Sequence, residues 1–221
     1  IFSPRDLPYS TQLIPMSVLF AILKNRSCDG IIRDKISQWY WCGVFGEMYG
    51  GANESRYVTD VTGMMNWIQG NEEPDTIARA YFQPTRLLTL QSRLSAAYKG
   101  IMALLLKNGA LDFISGKAMD FTNFLEESVD IHHIFPKHYC ESESIQRKKW
   151  NSIINKTPLS SRTNRVIGGK APSKYCSQIE RSDYVDHEKL NQNIRTHLID
   201  VKYLLSDDFE HYFIERAKAL L

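Results

Sequence analysis

The sequence predicts a mainly α-helical fold with a small β-β-α insertion between two helical parts. Apolar residues recur at helical spacing through the first 110 residues and again from His187 to Leu221. Between these parts, short segments rich in β-branched residues follow Gly109, and one of them runs directly into Pro136. The segment "SSRTNRVIGG" comes next, and its serine start and Gly-Gly end predict a short helix.

The N-terminal part is predicted to be helical throughout. Its predicted helices cover residues 11–25, 33–50, 54–70, 75–83 and 85–109. Pro15 lies near the start of the first helix, where proline is tolerated, and Gly109 is a natural end for the last. Because Trp39, Trp41 and Trp67 lie on these helices, we expect their apolar stripes to pack in a core rather than to bind a cofactor.

The β-β-α element is predicted in the middle of the chain. "ALDFIS" and "SVDIHHIF" predict strands, and "NKTPLS" predicts a returning extended segment, in which Pro158 suits a sheet edge. "APSKYCSQI" predicts another short helix, and two helices from His187 onward close the chain. We expect one compact unit of three parts. These are a helical subdomain at 1–110, a β-β-α core at 111–180 and closing helices at 181–221.

The composition is that of an ordinary globular protein, with 43% hydrophobic and 24% charged residues. The longest apolar runs are too short to span a bilayer, so we expect no membrane association. Four cysteines form no C-x-x-C pair, which predicts reduced thiols and a cytoplasmic protein. A zinc site at Cys140, Cys176 and nearby histidines stays open as an alternative. Because the chain begins with Ile1, we expect it to be the C-terminal part of a larger protein.

Positive charge is concentrated in one segment of the chain. Between Lys137 and Lys174 there are nine Lys or Arg residues and two acidic ones, Glu141 and Glu143. This segment therefore carries a net charge of +7, while the rest of the chain carries −5. Such a concentration is typical of a surface that binds a polyanion. A solvated basic face is the alternative interpretation.

Histidine and asparagine residues lie within and beside this basic segment. "DIHHIFP" places His132 and His133 together at the end of a predicted strand. Asn155 begins the returning segment, and Asn164 lies nine residues further on, in the following predicted helix. A histidine at a strand end, an asparagine on the returning strand and another on the next helix form the layout of a ββα-metal site.

On these residues the sequence resembles the HNH, or His-Me finger, nucleases. It is most similar to the C-terminal nuclease domain of the GmrSD-type modification-dependent restriction endonucleases. The matching segments are "DIHHIFP", "IINKTPLSSRTNRVIGGKAPSKY" and, more weakly, "WYWCGVFGEMYGGANESRYVTDV" upstream. The resemblance is sharp over residues 131–175 and diffuse over residues 10–130. It implies that the core at 111–180 is an HNH ββα-metal nuclease.

The resemblance implies a role for each matching residue. His133 falls on the HNH general base, which takes a proton from water. Asn155 falls on the asparagine that holds the histidine's loop and ring by hydrogen bonds. His132 and Asn164 fall on the metal ligands, and Asp130, on the same strand face as His132, is the fallback ligand. A divalent cation with two protein ligands keeps positions open for water and the scissile phosphate.

The match departs from the family pattern at His132, where many HNH enzymes carry Asp. A neutral ligand there lowers the negative charge of the site. We therefore expect Mg²⁺ or Mn²⁺, and Co²⁺ or Ni²⁺ could also serve. Strand alternation places His132 and His133 on opposite faces, so both can serve one site only if the strand ends there. Pro136 favours such an end.

The implied activity is hydrolysis of phosphodiester bonds in DNA, which we expect to be double-stranded, by nicking or by cutting both strands. The expected phosphate contacts are Arg165, Lys156, Lys170, Lys148 and Lys149. The resemblance further implies the effector part of a modification-dependent restriction system that acts against phage or other foreign DNA. An N-terminal sensor and NTPase domain, or a partner subunit, would recognise modified DNA. "GEMYGGAN" itself lacks the G-K-[ST] ending of a phosphate-binding loop.

Two other functions stay open at this point. A degenerate HNH fold would bind nucleic acid without cutting it, although the presence of both His133 and Asn164 argues against degeneracy. An RNA-directed nuclease toxin would use the same chemistry, because a base and a metal act on the phosphate of either polymer. Only the family resemblance favours DNA.

Overall fold

The structure is a computed structural model that describes residues 3–51, 53–118, 130–182 and 185–221. It is 61% helical, and its described residues include one sheet of two antiparallel strands. These features confirm a mainly α fold with a small sheet. The chain divides into two compact units, residues 3–83 with 93–100 and residues 84–92 with 101–221. The three-part division expected at residues 110 and 180 stays a prediction.

The described secondary structure of the first unit consists of α-helices and 3-10 turns. Its helices include α1 (Leu13–Leu23), α2 (Gly30–Phe45), α3 (Glu54–Ile68) and α4 (Asp75–Ala78), with 3-10 turns at Pro4–Asp6 and Lys24–Cys28. Leu19, Trp39, Val44 and Met64 are fully buried in its core. Trp41 and Trp67 are partly buried against the same core. The tryptophans on these helices therefore pack as the sequence predicted.

The prediction of one long helix over residues 85–109 is wrong. The structure has two helices, α5 (Arg86–Thr89) and α6 (Ala96–Lys107), with a non-helical stretch between them. Leu90 leaves the helical region of backbone space, with φ −75° and ψ 87°, and only 1% of it is exposed. Burial of its side chain therefore outweighs the helix propensity of the segment. Gln91, the next residue, reaches the candidate site because of this break.

The sheet consists of β1 (Asp130–His133) and β2 (Lys156–Leu159), which pair antiparallel. Helices α7 (Lys137–Ser142) and α8 (Arg147–Trp150) and a 3-10 turn at Ile153–Asn155 connect the strands. The β-β part of the predicted β-β-α element is therefore a hairpin of two four-residue strands with a long helical connection. Pro136 has no backbone N–H to continue the ladder, and it is the N-cap residue of α7.

Helices α9 (Ser161–Ile167) and α10 (Pro172–Arg181) follow β2, so the predicted strand, strand, helix order is present. The segment "ALDFIS" contains no extended strand, since Leu111 forms an isolated bridge to Ala118 and the residues between them turn. Asp112 holds this turn, because its Oδ1 accepts the N–H groups of Ile114 (3.1 Å) and Ser115 (3.0 Å). Residues 128–129 of the predicted strand "SVDIHHIF" lie outside the described residues.

The chain closes with three helices where the sequence predicted two. They are α11 (His187–Arg195), α12 (Val201–Leu205) and α13 (Phe209–Ala219). Asp200 and Asp208 begin the last two, because each carboxylate accepts a hydrogen bond from a backbone N–H in the first turn. None of the described helices is long and apolar enough to cross a membrane.

Candidate functional site

The site is built on the loop that follows β1. His133 is the last residue of the strand and pairs with Lys156 of β2. The next two residues, Ile134 and Phe135, bend away from the sheet and are fully buried. The strand therefore ends at the histidine pair, as the position of Pro136 predicted.

Asn155, the residue directly before β2, holds this loop in place. Its side chain is fully buried, and its Oδ1 accepts the backbone N–H of Phe135 at 2.8 Å. Its Nδ2 donates to the carbonyls of Phe135 and Trp150, both at 2.9 Å, and its own carbonyl accepts from the N–H of Ile134 at 3.0 Å. These bonds hold the loop backbone. The imidazole of His133 is not among the partners of Asn155 in the described structure.

Asn151 is the hydrogen-bonding partner of the His133 ring. The Nε2 atom of His133 lies 3.4 Å from Oδ1 of Asn151, and the ring packs edge-on against Trp150 with centroids 5.5 Å apart. Asn151 Nδ2 donates to Oε1 of Gln91 at 3.4 Å, and Lys156 Nζ donates to the Gln91 carbonyl at 2.8 Å. Asn151 and Gln91 are not among the site residues predicted from the sequence. Nothing in the local pattern marks either residue, since both reach the site through distant contacts.

Burial keeps the two histidines uncharged at neutral pH. Burial, and next the positive charge of Lys156, lower the pKa of His133, while the hydrogen bond with Asn151 opposes them. Burial also lowers the pKa of His132, against the attraction of Asp130. Lys156 itself is only 7% exposed, and burial lowers its pKa to about 8. A neutral imidazole has a lone pair, so His133 is able to accept a proton.

His132 lies on the opposite strand face from His133, as the alternation of the strand requires. It pairs with Thr157, whose hydroxyl is 2.5 Å from Nδ1 of the fully buried His197. The Nε2 atom of His132 is itself buried and has no hydrogen-bonding partner among the described residues. Asp130, the fallback ligand, is exposed, and its Oδ1 accepts the N–H of Ile131 at 2.8 Å.

Asn164 lies on α9 and is partly buried. Its side chain makes no hydrogen bond within the described parts of the chain, so the amide oxygen can accept a ligand. The unpartnered nitrogen of His132 and this amide oxygen are each a neutral donor of a type that divalent transition metals bind. No cluster of three or more His, Cys, Asp or Glu residues suited to a metal occurs in residues 3–51, 53–118, 130–182 and 185–221.

The two cysteines of the alternative zinc site are both buried. Cys140 donates its thiol to the carbonyl of Phe135 at 3.4 Å. Burial raises the pKa of Cys140 and of Cys176 to about 12. Since zinc binds the thiolate, both cysteines are suited to packing rather than to metal binding.

Asp112 positions helix α9, which carries Asn164. It is 3% exposed, and its Oδ2 accepts the N–H of Ser160 at 3.0 Å while its Oδ1 accepts the hydroxyl of Thr163 at 2.7 Å. Burial acts to raise the pKa of Asp112, but the hydrogen bonds from Ser115, Thr163 and Ser160 outweigh it, and the pKa is lowered. Asp112 is not among the residues predicted from the sequence, because its partners lie far along the chain.

The five predicted phosphate contacts differ in their surroundings. Arg165 and Lys148 are exposed. Lys149 forms an ion pair with Glu210, at 2.5 Å from its Oε2, and Lys170 donates to Oε1 of Gln178 at 2.5 Å. Lys156 is buried next to His133, as described above. Lys170 is exposed as well, so solvent and a bound polyanion can reach three of the five residues, namely Lys148, Arg165 and Lys170.

Comparison with known proteins assigns no activity to these residues. The chain is 32% identical over 177 residues to an uncharacterized protein of the archaeon Methanocaldococcus jannaschii. The match covers 78% of this chain and 29% of that relative, so the chain spans less than a third of the relative's length. No protein-family model matches the chain, and no solved structure matches it significantly. The function has to be argued from the geometry of the site.

Proposed function

We propose that this chain is a metal-dependent HNH endonuclease that hydrolyses phosphodiester bonds in double-stranded DNA. The observation that carries the proposal is the loop after β1. His133 ends the strand, and Asn155 holds the next two residues by three hydrogen bonds. A general base needs a fixed position relative to the bond it attacks, and a loop held in this way supplies one.

His133 is the proposed general base. Because Asn151 Nδ2 donates to Gln91, its Oδ1 faces the imidazole. With this amide orientation, Nε2 of His133 carries the proton and donates it, which leaves the lone pair on Nδ1. The lowered pKa of His133 keeps the ring neutral, so Nδ1 is ready to accept a proton at neutral pH.

In the proposed reaction a water molecule transfers a proton to Nδ1 of His133. Its oxygen forms a bond to phosphorus as the bond from phosphorus to the 3′-oxygen breaks. The leaving 3′-oxygen takes a proton from solvent, and His133 returns its proton to solvent. The net reaction consumes one water molecule for each phosphodiester bond that breaks. It needs no oxidant and no further substrate.

His132 and Asn164 would hold the divalent cation. When bound, such an ion offsets the negative charge that develops on the leaving oxygen. The two residues contribute an imidazole nitrogen and an amide oxygen, neither of them charged. This ligand set favours Mn²⁺ or a later transition metal more than a site of carboxylates would, and Mg²⁺ would bind it more weakly.

The proposed substrate follows from charge. The segment from Lys137 to Lys174 carries +7, and its exposed Arg165 lies on the same helix as Asn164. Phosphate contacts of this kind position a nucleic acid without reading its sequence. We further propose a role as the effector part of a modification-dependent restriction system, with recognition of modified DNA by another domain or subunit. The resemblance of "DIHHIFP" and its following segment to the GmrSD-type nucleases supports this role.

The test is incubation of the purified chain with supercoiled plasmid in Mg²⁺, Mn²⁺ or EDTA, beside the His133→Ala variant. We expect metal-dependent nicking that the variant lacks, with unchanged folding by circular dichroism. Equal nicking by the variant would exclude His133 as the base. Absence of nicking with any metal, together with retained DNA binding, would favour the alternative of a non-cleaving nucleic-acid-binding protein.

A further inference from the structure

A basic groove of about 500 Å³ runs along the outer face of helix α10. Three cations and three uncharged polar residues account for most of its lining. They are Lys170, Lys174, Arg181, Ser173, Ser177 and Gln178. No acidic residue of the described chain lines it. The groove is therefore positively charged and rich in hydrogen-bond donors.

Two acidic residues lie close to this groove, and each has a hydrogen-bonding partner of its own. Asp207 accepts the backbone N–H and the hydroxyl of Ser173, at 2.8 and 2.6 Å. Glu180 faces His187 of α11, with 2.8 Å between Oε1 and Nδ1. Lys174 and Arg181 are exposed on the groove side of α10. Neither cation forms an ion pair with these carboxylates or with another acidic residue that the structure describes.

The spacing of the cations suits the backbone of a nucleic acid. Lys174 and Arg181 are seven residues apart on one helix, which is about 10 Å at roughly 1.5 Å per residue. Phosphates on one strand of DNA advance about 3.4 Å per nucleotide along the duplex axis, so three nucleotides also advance about 10 Å. The hydroxyl of Ser177 lies between the two cations in sequence and can donate to a phosphate in the middle.

Helix α10 also contacts the loop after β1 directly. Its inner face is buried, and the hydroxyl of Tyr175 donates to the carbonyl of Ile134 at 3.1 Å. Ile134 is the residue after His133. A duplex that contacts the outer face of α10 is thus held by an element that also fixes the position of the proposed base.

We propose that this groove binds the sugar-phosphate backbone of double-stranded DNA, at a surface separate from the scissile phosphate. It extends the interface beyond the phosphate contacts proposed from the sequence, because Lys174, Ser177 and Arg181 are additional contacts. The choice of DNA as the polymer rests on the proposed function. The positive charge, the hydrogen-bond donors and the cation spacing rest on the groove itself.

The test measures binding of a labelled DNA duplex in EDTA, where no cutting occurs, over a range of salt concentrations. The variant is Lys174→Ala with Arg181→Ala. Its matched control is Lys189→Ala with Arg195→Ala, which removes one exposed Lys and one exposed Arg from the neighbouring α11. We expect the groove variant to bind about tenfold more weakly and its salt slope to fall by about 1.8, since each lost phosphate contact lowers it by about 0.9.

The control variant should bind like the wild type. Equal salt slopes for wild type and groove variant would overturn the proposal. The proposal would also be overturned if the groove variant bound poly-glutamate more weakly than the wild type but bound the duplex equally well, which would assign the groove to an acidic protein. If the wild type cuts plasmid and the groove variant binds the duplex as tightly as the wild type, the proposed nuclease function is supported and the proposed groove is contradicted. If the groove variant binds the duplex more weakly but the wild type cuts no plasmid, the groove is supported and the proposed nuclease function is contradicted.

Discussion

Asn155 and Phe135 are joined by a reciprocal pair of hydrogen bonds across the site. The backbone N–H of Phe135 donates to Oδ1 at 2.8 Å, and Nδ2 donates back to the Phe135 carbonyl at 2.9 Å. An asparagine side chain can make this pair because it presents a donor and an acceptor side by side. The loop after His133 therefore has its buried backbone groups satisfied by a side chain where the sheet ladder no longer reaches them.

Replacing Asn155 by Ala should destabilise the protein strongly. The change leaves the N–H of Phe135 and the carbonyl of Trp150 buried without these partners, while the carbonyl of Phe135 keeps only the weaker bond from the thiol of Cys140. Each unsatisfied group costs about 1–3 kcal/mol, so we expect a total loss of about 3 kcal/mol or more in the free energy of unfolding. Urea denaturation measures it. Asn164→Ala is the matched control, and an equal loss in both variants would contradict the role of Asn155.

Replacing Asn151 by Ala should lower the rate of cutting while DNA binding is preserved. Without the acceptor at Nε2, the neutral ring of His133 is free to adopt the other tautomer and to rotate. We expect kcat to fall about tenfold to a hundredfold, the range typical of lost orientation of a general base. Asn151 is a positioning residue, so a spectroscopic measurement has to accompany the kinetics.

The ¹⁵N chemical shifts of the His133 imidazole report which nitrogen carries the proton. The wild type should show the Nε2-protonated tautomer, and Asn151→Ala should show a mixture. Asn191→Ala is the matched control, because Asn191 donates to Nε2 of His187 at 2.9 Å in a surface Asn–His pair away from the site. A wild-type ring protonated at Nδ1 would contradict the proposed assignment of the basic nitrogen.

Stability should decrease on acidification because of His197. This residue is fully buried between Thr157 and the Leu111 carbonyl, and burial lowers its pKa to about 4. The ordinary value is about 6.5, so between these pH values the unfolded chain binds a proton that the folded protein does not. The free energy of unfolding therefore falls as the pH drops through this range, by at most about 3 kcal/mol from this group.

Unfolding experiments between pH 7 and pH 4 on the wild type and on His197→Gln check this expectation. The variant should be less stable at pH 7, yet its stability should change less with pH. Some dependence should remain, because His132 and His133 also have lowered pKa values and contribute with the same sign. Parallel pH profiles for the two proteins would contradict the assignment to His197.

Local sequence patterns predicted the parts of the site that lie in one segment. His133 at a strand end follows from "DIHHIFP", and the helix that carries Asn164 follows from its serine start and glycine end. Gln91, Asn151 and Asp112 could not be predicted in this way. Gln91 was placed inside a helix that the burial of a neighbouring leucine interrupts, and Asp112 bonds to residues far along the chain. Long-range contacts of this kind leave no periodicity in the sequence.

The helical connection between the two strands is another feature that the local sequence does not reveal. The sequence from Lys137 to Trp150 is polar and basic, which is typical of a loop, but the structure folds it into α7 and α8. Trp150 is 5% exposed and packs against the ring of His133. A single buried aromatic residue thus ties the connection to the site, and the pattern of the surrounding charges does not reveal it.

Replacing Asn164 should alter the metal requirement and leave stability unchanged. The Asn164 side chain makes no hydrogen bond to the described residues, so Asn164→Ala should change the free energy of unfolding by no more than about 0.5 kcal/mol. If the amide oxygen binds the cation, the metal concentration for half-maximal nicking should rise at least about tenfold. Titration of Mn²⁺ and Mg²⁺ in the plasmid assay measures this change.

Asn164→Asp distinguishes a metal ligand from a residue that contacts DNA. The new carboxylate places negative charge at the cation, so half-maximal nicking should need less Mg²⁺ than in the wild type. The same charge would repel a phosphate and weaken DNA binding if Asn164 contacted the backbone instead. Unchanged titrations in both variants would mean that the cation is held by other residues, with Asp130 as the first to test, because it lies on the same strand face as His132.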